Sequence, residues 1–459
     1  MKFIGREEQL SKLKRLVKRD NLQTSLIYGR RRVGKSYLVK KLLAETETKS
    51  IYYECKQTSE ANNVESIAAI ISNTFNLPRL GYSKFEDLLD YLFNLAKGQN
   101  IIFVLDEYPY LRESIKGLDS ILQSLIDKYR DDSQLKLIIL GSYVDVMKSL
   151  IEEANPLFGR IDLTINLKAM NYYESSMFYQ SFSNADKVRL YSVFGGIPYY
   201  NNLIDETKTV KENIIDLIAS DGARLENEVI MALKNEISKI INANEVFVAL
   251  AKGYSRFSDI LSQSHVSSGP TLVDVLDKLC NMEVVKKIAP INDMHNKRKT
   301  GYYIDDNLSY FYYRYIFKYS SQMMIMDAEV FYDKYIAEDF EEKYVPMKFE
   351  EIAKEYLIRQ NRMAKFEPPL ELIGKYYYDD PVKHQNGEFD IVSLDEKGYI
   401  FYEVKFRQHA LSEKEVLKEI EQVKATNLAT YAYVFITRAG IEECHLDNLR
   451  HISLDELYL

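Results

Sequence analysis

The sequence has few of the features that mark secreted, membrane-embedded or metal-stabilised proteins. It contains only three cysteines, Cys55, Cys280 and Cys444, and their spacing fits neither a metal-binding motif nor a disulfide framework. No apolar run approaches the roughly 18 residues of a membrane span. The N-terminal MKFIGREEQL lacks the apolar core of a signal peptide. We therefore expect a cytoplasmic protein with no membrane partner.

The chain also lacks the excess of basic residues that is typical of general nucleic-acid binders. Its formal net charge is −8 over 459 residues, so any contact with DNA has to come from a local basic patch. Apolar residues make up 46% and charged residues 28% of the chain, which is ordinary for a globular protein. The length predicts about three domains.

One motif dominates the first part of the chain. Residues 29–36, GRRRVGKS, follow a short apolar run and precede a helical pattern, which is the context that a phosphate-binding G-x-x-x-x-G-K-[ST] loop requires. Gly29 and Gly34 permit the backbone to turn its N–H groups toward phosphate oxygens. Lys35 can reach the β- and γ-phosphates, and the Ser36 hydroxyl can bind Mg²⁺. The sequence therefore predicts a nucleoside triphosphate site.

Two adjacent acids, Asp106 and Glu107, follow a later apolar run, 101–105, and a loop is expected after them. In a Walker B arrangement Asp106 would hold Mg²⁺ and Glu107 would orient or deprotonate the attacking water. Ser142 ends the next apolar run and could sense the γ-phosphate, although a plain loop serine explains it nearly as well. Arg160 could be an arginine finger acting on this site or on a neighbouring subunit, or an ordinary surface arginine.

Strand and helix patterns alternate through residues 1–170, which predicts a three-layer α/β/α core. The pattern is helical over 171–240, where a helical lid is expected. Three short helices and a hairpin over 241–306 predict a winged helix, and 307–345 is expected to be a helical connector. The remainder, 346–459, predicts a separate α/β domain with four strands, the last at 431–437, so the fold class is α/β with several domains.

Six sequence elements resemble those of the archaeal-type AAA+-like ATPases that are related to the STAND signalling NTPases, and they occur in the same order and context. They are FIGREE, the phosphate-binding loop, LDE, ILGS, PLFGR and GGIPYY, and the resemblance covers roughly residues 1–310. It implies ATP binding and slow hydrolysis coupled to domain movement, with residues 4–6 near adenine and ribose and residues 196–198 closing over the nucleotide. The expected nucleotide-binding residues are Ile4, Gly5, Arg6, Gly29, Arg30, Arg31, Arg32, Val33, Gly34, Lys35, Ser36, Tyr37, Gly196 and Pro198.

Two of these expectations leave alternatives open. Residues 30–32 are three consecutive arginines, which either contact phosphates or are solvated. In the winged-helix segment, the third helix carries Asp274, Asp277 and Lys278, which is a poor surface for a polyanion. The wing tip, residues 295–299, is basic and could bind phosphates. A structural or protein-binding role for this segment is at least as well supported.

The C-terminal region contains a second group of charged residues. Asp390 lies on one predicted strand, and Glu403 and Lys405 share a face of the next strand. Two carboxylates and a lysine suit Mg²⁺ binding and the stabilisation of phosphate charge. This pattern resembles the PD-(D/E)XK nuclease core, which implies a restriction-endonuclease-like fold. The simpler alternative is a solvated pair of strands with alternating charges.

The resemblance to these nucleases adds three further residue expectations. A preceding helix offers Glu350 or Glu351 as an additional acid, and a following helix offers Gln422 and Lys424 as auxiliary polar groups.

Together these patterns predict an ATP- and Mg²⁺-dependent switch that controls DNA binding or cleavage by the C-terminal domain. An alternative is a regulatory ATPase whose C-terminal domain only binds a partner or nucleic acid. A third is that ATP is a structural ligand that is not hydrolysed. The expected partners are ATP and DNA, and a homo-oligomer is compatible with an arginine finger at Arg160.

Overall fold

The computed structural model describes residues 3–231, 242–380, 385–426 and 428–459. The expected boundary between lid and winged helix, at residue 240, lies outside the described residues. The chain divides into two compact units. The first reaches to Ala169 and includes the three residues Ile197–Tyr199, and the second contains the described residues of Met170–Gly196 and Tyr200–Leu459.

The first unit is built on a parallel five-stranded sheet in the order β2-β3-β4-β1-β5. Its three central strands are buried along their whole length, which explains why they appear in the sequence as continuous apolar runs. The strands are β1 (Gln23–Tyr28), β2 (Lys49–Glu54), β3 (Ile101–Asp106), β4 (Leu135–Gly141) and β5 (Leu163–Asn166).

Seven helices accompany this sheet, and one of them was not expected. The sequence predicted a loop after Glu107, but a helix begins at once, with Pro109 in its first turn, where the missing N–H of proline costs nothing. The helices are α1 (Glu7–Val17), α2 (Lys35–Ala44), α3 (Glu60–Phe75), α4 (Phe85–Leu95), α5 (Tyr108–Ser114), α6 (Leu118–Tyr129) and α7 (Val144–Ser149).

Short helices open the second unit, and two of them begin with a capping box, at Asn171 and Thr209. In this motif the side chains at both ends of the first turn satisfy backbone N–H groups. The helices are α8 (Tyr172–Ser176), α9 (Asn184–Phe194), α10 (Pro198–Asn201, whose first two residues belong to the first unit) and α11 (Val210–Leu217).

Three helices and a two-stranded hairpin follow among the described residues, and the winged-helix interpretation of this segment stays a prediction. We call them the helix–hairpin module: α12 (Ala243–Ala251), α13 (Phe257–Gln263), α14 (Gly269–Asn281), β6 (Val285–Ile288) and β7 (Gly301–Ile304).

The next segment is helical and aromatic, and it contains two π-helical turns. Phe311, Tyr315, Phe340 and Tyr344 are fully buried and pack ring against ring. Its elements are α15 (Asn307–Phe311), π-turn Tyr312–Ile316, 3-10 turn Phe317–Tyr319, α16 (Ser320–Met323), α17 (Ala328–Tyr335), α18 (Ala337–Asp339) and π-turn Phe340–Tyr344.

A separate five-stranded sheet forms the C-terminal part, in the order β12-β11-β10-β9-β8. Within this sheet, β9 pairs antiparallel with both β8 and β10, and β11 and β12 run parallel to β10. The strand β12 was not expected. The elements are α19 (Val345–Arg362), β8 (Leu372–Asp380), β9 (Gln385–Asp395), β10 (Gly398–Lys405), α20 (Glu413–Ala425), β11 (Thr430–Thr437), β12 (Leu449–Ser453) and a final 3-10 turn, Asp455–Tyr458.

Phe389, Phe401, Phe435, Val416 and Ile420 form the core between this sheet and α20. Across the described residues, no helix is both long enough and apolar enough to cross a membrane.

Candidate functional site

The phosphate-binding loop connects β1 to α2, and a glycine shapes each of its ends. Gly29 has φ of +154°, and a Cβ there would lie 2.2 Å from the carbonyl oxygen of Leu167. Gly34 has φ of +97° and immediately precedes α2. Glycine adopts both conformations without the strain that a Cβ would add. The loop therefore presents its backbone, rather than side chains, at the N-terminus of α2, which suits an anion.

The Lys35 ammonium lies between this loop and the end of β4. Its Nζ donates hydrogen bonds to Gly29 O at 2.8 Å, to Arg30 O at 3.1 Å and to Ser142 Oγ at 2.8 Å. The register of the sheet explains the contact with Ser142. Tyr28 pairs with Gly141, so the residues that follow them, Gly29 and Ser142, begin their loops side by side. The side chain thus places a positive charge, largely buried, at the carboxyl edge of the sheet.

The carboxylate of Asp106 is held by three donors. Ser36 Oγ donates to Oδ2 at 2.6 Å, the Tyr52 hydroxyl donates to the same oxygen, and the Glu107 N–H donates to Oδ1 at 3.0 Å. Burial, together with the hydrogen bond to Asp106, raises the pKa of the Tyr52 phenol. Mg²⁺ prefers oxygen ligands of this kind, so the Ser36–Asp106 pair fits the metal that the sequence predicts.

Glu107 is connected to Lys35 through Ser142. Ser142 Oγ donates to Glu107 Oε1 at 2.5 Å, and the Ser142 N–H donates to Oε2 at 3.2 Å. Glu107 has φ of 55°, a conformation that non-glycine residues seldom adopt. The structure therefore brings Lys35, Ser36, Asp106, Glu107 and Ser142 into one hydrogen-bonded group.

The N-terminal FIGRE segment contacts the first turn of α2 and the segment that follows β5. The Phe3 ring lies 5.8 Å from the ring of Tyr37, which follows Ser36 in α2. Arg6 has φ of 68° and donates from Nη2 to the carbonyl oxygen of Lys168 at 2.6 Å. Ile4 and Gly5 are buried between these contacts. Val33, inside the loop, is also buried.

Two residues of the G-I-P-Y segment lie against the phosphate-binding loop. The Cγ of Pro198 is 4.0 Å from the position that a Cβ on Gly34 would take. The guanidinium of Arg32 lies 4.0 Å from the centre of the Tyr199 ring, within the range of a cation–π contact.

Gly196, in the second unit, has a packing role instead. A Cβ there would lie 1.8 Å from the Met170 carbonyl oxygen, and Gly196 O accepts a hydrogen bond from Met170 N at 2.8 Å. Of the other loop arginines, Arg30 is partly buried and Arg31 is exposed.

Arg160 lies outside the group around Lys35. Its guanidinium makes two hydrogen bonds to Asp127, at 2.9 and 2.7 Å, and two more to the carbonyl oxygens of Pro156 and Phe158, both at 3.1 Å. Asp127 belongs to α6, which is in the same unit. In this chain Arg160 therefore ties the segment before β5 to α6.

The second charged group lies at one end of the ladder between β9 and β10, two inner strands of the C-terminal sheet. The β9–β10 ladder runs to the pair Ile391–Tyr402, and Asp390 and Glu403 are the next residues of the two strands. Glu403 forms an ion pair with Lys405. Asp390 is 3.3 Å from the Nζ of Lys375, on β8. The residues expected here are therefore neighbours, and each acid has a lysine partner.

The structure distinguishes between the two glutamates that the sequence offered as a further acid. Burial raises the pKa of Glu350 to about 8, and the negative charge of Asp390 adds to this effect. Glu351 instead contacts Lys348 at 3.2 Å and Lys286 at 3.4 Å. Although burial opposes them, these two lysines lower the pKa of Glu351 to about 2. Glu350 is the acid that belongs with Asp390.

A cavity of about 550 Å³ lies beside Asp390 and Glu350, between the helix–hairpin module and the C-terminal sheet. Arg256, at the start of α13, pairs with Glu388 at 2.9 Å, and Glu388 pairs with Lys375 at 2.7 Å. Among the residues that the structure describes, no three His, Cys, Asp or Glu side chains are grouped closely enough to hold a metal ion. In this second site, Asp390 and Glu403 thus form ion pairs with Lys375 and Lys405.

The auxiliary polar residues expected near this site lie elsewhere on α20. Gln422 donates to the Tyr378 hydroxyl at 3.3 Å, and Lys424 is exposed in the last turn of the helix.

Comparison with known proteins bears on the first of these regions. Residues 3–204 match a family described as an ATPase domain predominantly from Archaea. This part of the chain is therefore similar to an archaeal P-loop ATPase domain, and the similarity implies nucleotide binding. Residues 312–420 match a second family, described as archaeal and bacterial proteins of unknown function.

Relatives cover most of the chain. A protein of Methanocaldococcus jannaschii, MJECL04, described as uncharacterized, is 28% identical over 91% of this chain and 90% of its own length. The Walker-type ATPase paby2304 of Pyrococcus abyssi has a similar fold, with a TM-score of 0.51, 19% identity, and coverage of 68% of this chain and 96% of that one. The ORC2 protein of Aeropyrum pernix, solved as ADPNP-ADP complexes, gives a TM-score of 0.48 and 14% identity over 69% of this chain and 94% of that one.

Sequence reasoning missed three residues that the structure places in these groups. In the ATPase domain they are Tyr52, which contacts Asp106, and Tyr199, which contacts Arg32. In the C-terminal sheet it is Lys375. Tyr52 and Lys375 belong to no motif, whereas Tyr199 is part of GGIPYY. That element could have pointed to Tyr199, and the alternation of β2, which places Tyr52 and Glu54 on one face, could have pointed to Tyr52.

Proposed function

We propose that this chain is an ATP-hydrolysing switch that uses Mg²⁺ and whose ATPase domain controls the C-terminal domain. The observation that carries this proposal is the hydrogen-bonded group of Lys35, Ser142 and Glu107, next to the Ser36–Asp106 pair. A cation, a hydroxyl and two carboxylates are what phosphoryl transfer to water requires. When bound, Mg²⁺ supplies positive charge beside the phosphates.

The roles of the residues follow from their contacts. Lys35, held at the loop by Gly29 O and Arg30 O, stabilises phosphate charge. Ser36 and Asp106 hold the metal. Glu107, whose two oxygens are fixed by Ser142, orients the water and accepts its proton.

Two substitutions test this assignment. We expect Lys35→Ala to abolish ATP binding, measured by isothermal titration calorimetry. Glu107→Gln should bind ATP but release phosphate about 100-fold more slowly, since positioned general bases contribute roughly 10²–10⁴-fold. Lys41→Ala is the matched control for the first, because Lys41 lies on the same helix and pairs with Glu45 at 2.8 Å. Glu113→Gln, an exposed glutamate of α5, is the control for the second.

Equal phosphate release by Glu107→Gln and the wild-type protein would contradict hydrolysis at this site and favour ATP as a structural ligand. A cytoplasmic location, DNA as a partner and a homo-oligomeric state stay predictions.

A second candidate function is Mg²⁺-dependent DNA cleavage by Asp390, Glu403, Lys405 and Glu350. What supports it is the order of elements, a helix, three antiparallel strands, a helix and a parallel strand, together with the meeting of these charged residues near one end of the β9–β10 ladder. We propose on this basis that the C-terminal sheet is restriction-endonuclease-like and that the helix–hairpin module is a winged helix. The exposed Lys297 and Arg298 at the hairpin tip suit phosphate contacts.

The test is to incubate the protein with Mg²⁺ or Mn²⁺ and plasmid or branched DNA, with and without ATP. We expect nicking that Lys405→Ala abolishes and that Lys397→Ala, an exposed lysine on the turn before β10, leaves unchanged. If no nucleotide state gives nicking, the C-terminal domain is a binding module instead.

A further inference from the structure

Asp106 Oδ2 accepts two hydroxyl donors, and only one of them belongs to the phosphate-binding loop. Ser36 Oγ donates at 2.6 Å from α2, and the Tyr52 hydroxyl donates from β2. The other carboxylate oxygen is occupied by the Glu107 N–H at 3.0 Å. The carboxylate is therefore fixed at both oxygens, and Tyr52 supplies one of the three constraints.

The parallel register of β2 and β3 gives Tyr52 this reach. Tyr52 pairs with Val104, two residues before Asp106, and side chains two apart on a strand share a face. A phenol is long enough to extend from that position to the end of the neighbouring strand. Its neighbour Tyr53 points to the opposite face, where it is buried and bonded to Asn63.

We propose that Tyr52 is a positioning residue for Mg²⁺ capture at the ATP site. This inference rests on the proposed ATP·Mg²⁺ site and adds a residue to it. Tyr52 holds the carboxylate of Asp106 in one orientation before the metal arrives, so that no rotational freedom is lost on binding. Because the Tyr52 hydroxyl donates to Asp106, the carboxylate proposed to hold the metal, its loss affects metal binding and not the metal-independent binding of nucleotide.

The experiment compares Tyr52→Phe with Tyr53→Phe. Each substitution removes one hydroxyl and keeps the aromatic ring, and the two residues are neighbours in the same strand. A general weakening of β2 would therefore affect both variants. A fluorescent ATP analogue labelled on the ribose is titrated first in EDTA, and then at a fixed concentration with increasing MgCl₂.

For Tyr52→Phe we expect an unchanged dissociation constant in EDTA and a rise of about tenfold in the Mg²⁺ concentration that gives half-maximal response, which corresponds to about 1.4 kcal/mol. Tyr53→Phe should follow the wild-type protein in both titrations. Ser36→Ala, which removes the other hydroxyl donor to Asp106, should raise the Mg²⁺ requirement further.

The outcomes separate failure of this inference from failure of the proposed function. If Tyr52→Phe has the Mg²⁺ requirement of the wild-type protein, or a lower one, while Ser36→Ala has a higher one, the role of Tyr52 is overturned and the site stands. If Tyr53→Phe shifts as much as Tyr52→Phe, the effect is structural and the inference is also overturned. If Lys35→Ala binds the analogue as tightly as the wild-type protein, the ATP site itself is wrong.

Discussion

Ser142 Oγ lies 2.5 Å from Glu107 Oε1 and 2.8 Å from Lys35 Nζ. One hydroxyl thus connects the residue proposed to bind phosphate with the residue proposed to activate water. Because it donates to the carboxylate and accepts from the ammonium, it fixes the distance between the two charged groups.

We expect Ser142→Ala to lower the rate of ATP hydrolysis by about 10- to 100-fold, the effect of losing hydrogen bonds to charged groups. ATP affinity should change little, since Lys35 keeps its bonds to Gly29 O and Arg30 O. Steady-state phosphate release and calorimetric binding check the two parts. The control is Ser149→Ala, whose hydroxyl donates to Val146 O, within its own helix. A normal turnover rate in Ser142→Ala would make Ser142 a plain loop serine.

Gly29→Ala should destabilise the protein by about 2–5 kcal/mol, because the new Cβ would add steric overlap to a strained backbone angle. The Cβ would lie 2.2 Å from Leu167 O. Gly98→Ala separates the two contributions, since Gly98 has φ of +79° but no atom within 4 Å of its Cβ position. That control should cost about 1–2 kcal/mol, the cost of the angle alone. Urea unfolding followed by circular dichroism measures both, and equal losses would contradict the close approach at Leu167.

Glu355 should make stability depend on pH. Burial raises its pKa from about 4.5 to about 7, although hydrogen bonds from the Tyr172 N–H and the Tyr191 hydroxyl oppose the shift. Between these two values the native state binds more protons than the unfolded state, so stability falls as pH rises from about 4.5 to about 7. Glu355→Gln keeps the shape and removes the titration.

Urea midpoints measured from pH 4 to pH 8 test this dependence. The wild-type profile should decline across that window more steeply than the Glu355→Gln profile. The exposed substitution Glu342→Gln should retain the wild-type slope. Parallel profiles for all three proteins would show that Glu355 does not titrate in this range.

Arg160 and Asp127 should behave as an ion pair that stabilises the ATPase domain. Partly exposed pairs of this kind contribute about 1 kcal/mol or less, and two carbonyl contacts of Arg160 add to it. Arg160→Ala should therefore lower the unfolding free energy more than Asp127→Asn does, and the double variant should lose little more than Arg160→Ala alone. An arginine finger would behave differently, because Arg160→Ala alone would then reduce ATP turnover about a thousandfold while Asp127→Asn would not.

Lys375→Met should remove the ion pairs that Asp390 and Glu388 make with Lys375, which are 3.3 and 2.7 Å long, while Glu388 keeps its pair with Arg256. If the C-terminal acids form a metal site, a lysine and a metal compete for the same carboxylate, so the variant should bind Mn²⁺ more tightly by about tenfold. Electron paramagnetic resonance of free Mn²⁺ measures this directly. Lys397→Met serves as the control, and equal Mn²⁺ binding by both variants would argue against competition at Asp390.

The sequence was informative wherever function requires a fixed spacing along the chain. The loop at 29–36 and the acids at 106 and 107 were placed correctly relative to their strands, because a continuous apolar run identifies a strand buried on both faces. The helices and hairpin between residues 243 and 304 were also predicted, since their turns carry glycine, proline and serine.

Contacts across the fold could not be predicted in this way. Tyr52 reaches Asp106 only because β2 pairs with β3 in one register, and no local pattern encodes a pairing between residues 54 positions apart. The same holds for Lys375 and Asp390, which meet across β8 and β9. The helix after Glu107 was missed because Pro109 reads as a breaker unless its position in the first turn is known.

The three residues Ile197–Tyr199 belong to the first unit, although the residues on both sides of them belong to the second. The backbone therefore changes unit three times, after Ala169, after Gly196 and after Tyr199. A fragment that ends at residue 169 lacks Pro198 and Tyr199, the side chains that lie against Gly34 and Arg32. For protein engineering this means that a truncation has to lie beyond Tyr199, and not at residue 169, to keep both of these side chains against the nucleotide loop. A tandem exchange of domains between relatives would have to move both segments together.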